Sequence, residues 1–365
     1  MEPVYLDHNA TTPMRAAAVA AVAAASAQCG NASSVHAWGR RARAVVEDAR
    51  EAVAALVGAK PEWVVFTGGG TEANNLAIRG ANATTVAASA VEHPSVLTAC
   101  AGISEIPVDG DCVVRLDAIP EAGLVSVMLA NNETGVIQPV ARIAEIARSR
   151  GAIVHCDAVQ AAGRTAIDME ALGVGLMSLS AHKLGGPQGV GALVVRGGVR
   201  LDAILRGGGQ ERGLRAGTEN IAGLAGFGAA AAEALSDLPK MQTLAALRDK
   251  LEADICEIAP EIRAFGSAAA RLANTSCIAM PTVSAESQLM VFDLAGVMVS
   301  SGSACSSGKV ARSHVLAAMG IAEEVAETAI RISLGWTTRE ADIDRFVTVW
   351  QTLYRRTRET VRKVA

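Results

Sequence analysis

The sequence has no uninterrupted apolar run of the roughly 18 residues that a membrane-spanning helix requires. Its most lipophilic stretches, residues 16–25 and 221–232, are short and rich in alanine. Basic residues are not in excess either: 33 Lys and Arg stand against 37 Asp and Glu, a formal net charge of -4. That is the opposite of the basic surface nucleic acid selects. Seven cysteines occur, but they are dispersed, odd in number and never spaced Cys-x-x-Cys, so neither a disulfide framework nor a zinc site is expected. Most of them read as small buried hydrophobes. The N-terminus, Met1-Glu2-Pro3-Val4-Tyr5-Leu6-Asp7, lacks the basic stretch and apolar core of a secretory signal, and a cytosolic location is expected. Repeats, low-complexity tails and linkers rich in Pro or Ser are also missing.

What is present is enough apolar surface to fold. Half of the 365 residues are hydrophobic and 19% are charged, a balance in which burial offsets ordering entropy and disorder is excluded. At roughly 150 residues per domain, two domains are expected. Strand-length apolar runs at residues 63–66, 124–129, 152–156 and 190–195 alternate with helical patterns, which predicts an α/β fold with a mostly parallel sheet. Residues 140–150 repeat apolar side chains at three- and four-residue steps toward a basic end, and Gly151 stops that helix. Past Leu238 the pattern changes. A long helix over 241–258, strand-like runs at 275–280 and 289–299, and a charged helix over 340–364 predict a smaller second domain.

In an open parallel sheet, ligands sit beyond the carboxyl ends of the strands, and four segments there carry chemistry. Phe66-Thr67-Gly68-Gly69-Gly70-Thr71 is a strand, a glycine turn and a helix start, whose bare N–H groups suit an anion. It matches neither the Walker A loop nor Gly-x-Gly-x-x-Gly, and a purely structural turn fits it equally well. Asp157 ends a buried strand, with Gln160 three residues on. A buried carboxylate needs a positive partner; a protonated heterocyclic nitrogen would serve, and a structural helix cap is the alternative. In Ser180-Ala181-His182-Lys183-Leu184-Gly185-Gly186 a lysine lies in a small, apolar setting where a desolvated amine can form a Schiff base, a surface lysine in a loop being the alternative, while Ser180 and His182 can bind an anion. Finally, Ser300-Ser301-Gly302-Ser303-Ala304-Cys305-Ser306-Ser307-Gly308 sets one cysteine among small polar neighbours, the exposed context of a nucleophilic thiolate.

In this order and spacing the segments resemble the pyridoxal-phosphate-dependent cysteine desulfurases of the NifS and IscS type, in the class V aminotransferase group of fold type I. The resemblance runs from Tyr5-Leu6-Asp7-His8-Asn9-Ala10-Thr11-Thr12-Pro13 to Arg331-Ile332-Ser333-Leu334-Gly335. It implies a fold type I transferase with a large cofactor-binding domain over 13–238. A smaller α+β domain, from 1–12 and 239–365, would carry the nucleophile loop. Lys183 would hold pyridoxal 5'-phosphate, Asp157 would pair with its ring nitrogen, Gln160 with its phenolic oxygen, and His93, in Val91-Glu92-His93-Pro94, would stack on the ring. Gly70, Thr71, Ser180 and His182 fall on phosphate-binding positions. Thr218 resembles a threonine that reaches the phosphate of a neighbouring subunit, so a homodimer with shared sites is implied. Asn132 and Arg331 would hold the substrate carboxylate, and Cys305 would receive sulfur.

The implied reaction takes L-cysteine to L-alanine and leaves a persulfide on Cys305, with Lys183 moving the proton and His93 assisting. An iron-sulfur scaffold or another sulfur acceptor would take the sulfur. No intrinsic metal is expected, although Cys305 could transiently ligate an iron-sulfur cluster. The chain departs from the family pattern at His8-Asn9, where Tyr-Ser is more common, at Gly70, where alanine is usual, and at residues 308–314, which lack a Leu-Glu-Pro stretch. The rival expectations are a selenocysteine lyase or aminotransferase that shares Lys183 and Asp157 without depending on Cys305, and a non-catalytic sulfur carrier. A nicotinamide dehydrogenase is disfavoured because its fingerprint is missing.

Overall fold

The structure, a computed structural model, describes residues 3–262, 264–302 and 312–364, with the backbone alone for 360–364. The chain opens with a short strand, β1 (Val4–Tyr5), and two helices, Ala16–Ser26 and Ala37–Leu56. Seven strands follow: β2 (Val64–Thr67), β3 (Val86–Ser89), β4 (Ser104–Ile106), β5 (Leu124–Ser126), β6 (Ile153–Asp157), β7 (Leu176–Ser180) and β8 (Gly191–Val195). They form one sheet in the order β2-β8-β7-β6-β5-β3-β4. β8 is antiparallel to both its neighbours and the remaining pairs are parallel, so the carboxyl ends of β2, β3, β5, β6 and β7 meet along one edge. β2, β3, β5 and β7 are buried throughout, as continuous apolar runs with helices on both faces require. The run expected over 124–129 keeps formal strand pairing only to Ser126. Its ladder nevertheless continues, with Val127 N–H donating to the His155 carbonyl and Leu129 N–H to that of Asp157.

On one face of the sheet the helices Ala16–Ser26, Ala37–Leu56 and Ile221–Ser236 pack closely. Glycine makes this possible: a Cβ on Gly228 would lie 2.7 Å from Ala49 Cα, and one on Gly226 would lie 2.5 Å from a Val22 methyl. The 16–25 and 221–232 runs are thus core helices, and among the described residues no single helix is long and apolar enough to cross a membrane.

After the helix Leu238–Ile258 come β9 (Thr275–Ala279), β10 (Val297–Met298), β11 (Ser300–Ser301) and β12 (Ala329–Ser333). β11, β12 and β9 make an antiparallel sheet, while β1 pairs with β10 in parallel. A separate apolar cluster gathers here around Leu6, Leu251, Phe292, Phe346 and Trp350, with Phe292 stacked on Phe346 at 4.8 Å between ring centroids. The expected strand over 289–299 is corrected. Ala285–Leu294 is a helix, capped by Ser284, whose hydroxyl accepts from Ser287 N–H, and only Val297–Met298 is extended. The run misleads because it leaves Met290 and Leu294 exposed while burying Phe292, so its apolar residues do not mark one helical face.

A buried ion pair fastens the turn Gln210–Gly213, a few residues before Thr218. Glu211 accepts two hydrogen bonds from the Arg50 guanidinium (2.8 and 2.9 Å) and one from Phe66 N–H, while Glu211 and Arg212 hold φ of 45° and 56°. Such backbone costs energy unless its surroundings enforce it. Glu211→Ala is expected to lower the unfolding free energy by about 3 kcal/mol, because it leaves the buried Arg50 guanidinium with only the half-exposed Glu47 as counter-ion. Denaturant unfolding of the cofactor-free protein checks this; a loss below about 1 kcal/mol contradicts it.

Candidate active site

The carboxyl edge of the sheet gathers the chemistry-bearing segments because each follows a strand directly. Asp157 is the last residue of β6 and Ser180 the last of β7, and a 3-10 turn over Ala181–Lys183 carries His182 and Lys183. Gly70 and Thr71 start the helix Gly70–Gly80 after β2, and His93 caps the helix Pro94–Leu97 after β3. Together with Asn132 and Gln160, these residues line one cavity of about 240 Å³.

One end of the cavity is built around a carboxylate. Asp157 accepts from Asn74 Nδ2 (2.7 Å) through one oxygen and from Val159 N–H (2.9 Å) through the other, which fixes its plane. Asn74 also donates to Ser95 Oγ (2.8 Å). Ser95 N–H in turn donates to His93 Nδ1 (3.1 Å), which places the ring proton on Nε2. Burial pushes the His93 pKa down, against the pull of Asp157, so the ring is neutral.

Another wall is made for an anion. The first N–H groups of the helix Gly70–Gly80, the hydroxyls of Thr71 and Ser180, and His182 converge there. A Cβ at Gly70 would lie 2.9 Å from a Val159 methyl and 3.4 Å from Ser180 Cβ, so glycine lets the helix start settle close against β7. Burial, with Lys183 and Arg164 nearby, lowers the His182 pKa to about 4, and His182 Nδ1 lies 3.1 Å from Thr11 Oγ1.

Lys183 Nζ donates to the carbonyls of Asn9 (2.5 Å) and Ala10 (2.8 Å). Asn9 is the hub of this corner: its carbonyl also accepts from Gln160 Nε2 (3.0 Å), and its side chain reaches the Asn132 carbonyl and Thr275 Oγ1. An amine, a fixed carboxylate, a neutral imidazole and an anion-binding helix start around one cavity make a donor set that fits pyridoxal phosphate.

Three expected residues stand elsewhere. Arg331, on β12, is buried behind the cavity wall, with Nη1 donating to the Asn132 carbonyl (3.0 Å) and Nη2 paired to Asp7 (2.8 Å). Thr218 is exposed and outside this cavity. Cys305 lies outside the described residues. Its flanks are placed: β11 pairs Ser300 with Arg331, and Ser313 donates to the buried carboxylate of Glu133 (2.6 Å). Sequence reasoning missed Asn74, Asn9 and Arg164. Asn74 had a usable signal, lying one turn after Thr71 on the same helix face; Asn9 acts through partners hundreds of positions away and had none.

A match to the family described as Aminotransferase class-V spans residues 4–346. Cysteine desulfurases from Sinorhizobium fredii and Cereibacter sphaeroides are 43% and 44% identical to the chain, over 99% and 96% of its length and 98% and 95% of theirs. Among solved structures, a NifS-like protein from Rickettsia africae shares the fold with a TM-score of 0.88 at 34% identity, covering 97% of this chain and 99% of that one.

Proposed function

Because the chain belongs to the class V aminotransferase family and its full-length relatives are cysteine desulfurases, it is a pyridoxal-phosphate-dependent cysteine desulfurase, and we propose that the Lys183–Asp157 cavity is where L-cysteine loses its sulfur. When bound, the cofactor would supply an electron-poor ring that accepts the electron pair left on carbon when the substrate's α-proton departs. The residues around it have separable tasks. Lys183 tethers the cofactor and, once displaced by substrate, moves the α-proton through Nζ. Asp157, held by Asn74 and Val159 N–H, keeps the ring nitrogen protonated. Gln160 serves the phenolic oxygen, His93 flanks the ring, and Gly70, Thr71, Ser180 and His182 hold the phosphate.

Asn132 takes the substrate carboxylate. Arg331 acts on that carboxylate by fixing the Asn132 backbone through Nη1. Cys305 attacks the substrate sulfur as a thiolate. The carbon–sulfur bond breaks with its electron pair going to carbon, protonation there yields L-alanine, and Cys305 keeps the outer sulfur as a persulfide.

A homodimer is part of this proposal. Thr218 is exposed and points to no task in its own protomer's cavity, and the large apolar side chains of Val35 and Trp38 are exposed at the start of the helix Ala37–Leu56. The persulfide would pass to an iron-sulfur scaffold or another sulfur-acceptor protein. A cytosolic location suits a chain that works through a free thiol and whose six described cysteines are all unpaired.

The observation that carries the reading is the convergence of Lys183, a fixed Asp157 and a helix N-terminus on one cavity. The visible spectrum of the protein, reconstituted with pyridoxal phosphate and then mixed with L-cysteine, tests it. A cofactor band that changes on adding the amino acid is expected. A colourless protein after reconstitution would refute the proposal.

A further inference from the structure

Arg164 is buried beside the cavity without being part of its wall. Its Nη1 donates to Gln160 Oε1 (2.5 Å) and Asn9 Oδ1 (2.7 Å), and its Nη2 to the carbonyls of His8 (2.9 Å) and Lys183 (3.4 Å). All four acceptors are neutral oxygens. Among the described residues Arg164 has no carboxylate partner, which makes its burial costly, and burial, with repulsion from Arg331, pushes its pKa down to about 9.

The contact with Gln160 has a chemical consequence. A guanidinium has donors and no acceptor, so the carboxamide atom that faces it is the oxygen. Nε2 is therefore turned away, with one proton on the Asn9 carbonyl and its second available to the cavity that Gln160 lines. Arg164 and the Asn9 carbonyl together hold this orientation, and without Arg164 the Asn9 carbonyl alone has to hold it.

The charge acts as well. Around Lys183 and Arg164 stand His93, His182, His8, Glu92, Asp157 and Arg331. The three imidazoles are kept neutral, mainly by burial, and burial, then Asp157, raises Glu92 to about 8, so it is uncharged at neutral pH. Arg331 is paired with Asp7. Among the described residues, Asp157 and Arg164 are then the charges without an ion pair, and Arg164 is the one bonded to the Lys183 backbone.

We propose that Arg164 is a positioning residue of this site: it locks Gln160 with a donor toward the cofactor's phenolic oxygen and holds a positive charge behind Lys183, which together lower the proton affinity of the lysine nitrogen joined to the cofactor. This rests on the assignment of Lys183 and Gln160 to the cofactor.

The test is the pH midpoint of the visible cofactor band in substrate-free holoenzyme. Arg164→Met is expected to raise the midpoint by about one pH unit or more, and Arg164→Lys, which restores charge without the fork, to raise it less. Should Arg164→Met fold poorly, Gln160→Glu carries the test. It sets a carboxylate on Arg164, cancelling the charge and removing the donor, and is also expected to raise the midpoint. A midpoint unchanged in Arg164→Met overturns the inference while leaving the site assignment standing, and one unchanged in Gln160→Glu overturns both the inference and the assignment of Gln160 to the phenolic oxygen. A wild-type protein with no Lys183-dependent band overturns both.

Discussion

Replacing Lys183 with alanine is expected to lower L-cysteine turnover by more than about a thousandfold, since in the proposed mechanism one side chain supplies both the covalent tether and the proton-moving group. The fold should tolerate the change. Lys183 ends a 3-10 turn whose backbone is held independently, with Leu184 N–H donating to the Ala181 carbonyl and the Lys183 carbonyl accepting from Arg164. What disappears is the amine that Asn9 and Ala10 hold beside the cavity. Alanine release at saturating L-cysteine is the measurement, with the absorbance of the reconstituted variant beside it. Turnover within tenfold of wild type would remove Lys183 from the reaction and leave the cavity without its central group.

Cys305→Ser separates the two halves of the chemistry. The cofactor cavity stands complete without that residue, so the variant should bind pyridoxal phosphate and show the spectral response to L-cysteine. Persulfide should fall to background, and alanine release by about a thousandfold, because a hydroxyl at neutral pH is a far weaker nucleophile than a partly ionised thiol. The flanks support this division. Ser313 is tied to Glu133, a side chain on Gly302 would strike the same carboxylate, and Ser300 pairs with Arg331, so both ends of the segment start next to Asn132 and the substrate end of the cavity. Mass spectrometry of Cys305 after a single turnover reads the transferred sulfur directly. Sulfur transfer that persists in the serine variant would overturn the desulfurase mechanism and favour a selenocysteine lyase or aminotransferase on the same scaffold.

Local order along the chain was enough to predict the α/β class, the helices near 140–150, 241–258 and 340–364, and several strand-end residues that the fold gathers around one cavity. A buried parallel strand is a short apolar run, and the polar residue after it lies at the carboxyl edge of the sheet, so Asp157, Ser180 and Lys183 could be picked out by position alone. His93 and Thr218 needed the family resemblance, since a loop histidine and a glycine-flanked threonine carry no signal of their own. The helix Ala285–Leu294 was misread because periodicity reports burial, and two of its large apolar residues are exposed. Folding decided what no spacing encodes: that Arg331 stands behind Asn132, that Asn74 orients Asp157, and that Asn9 and Arg164 brace Gln160 and Lys183. These are hydrogen bonds between distant segments, and their geometry exists only once the packed core brings those segments within about 3 Å.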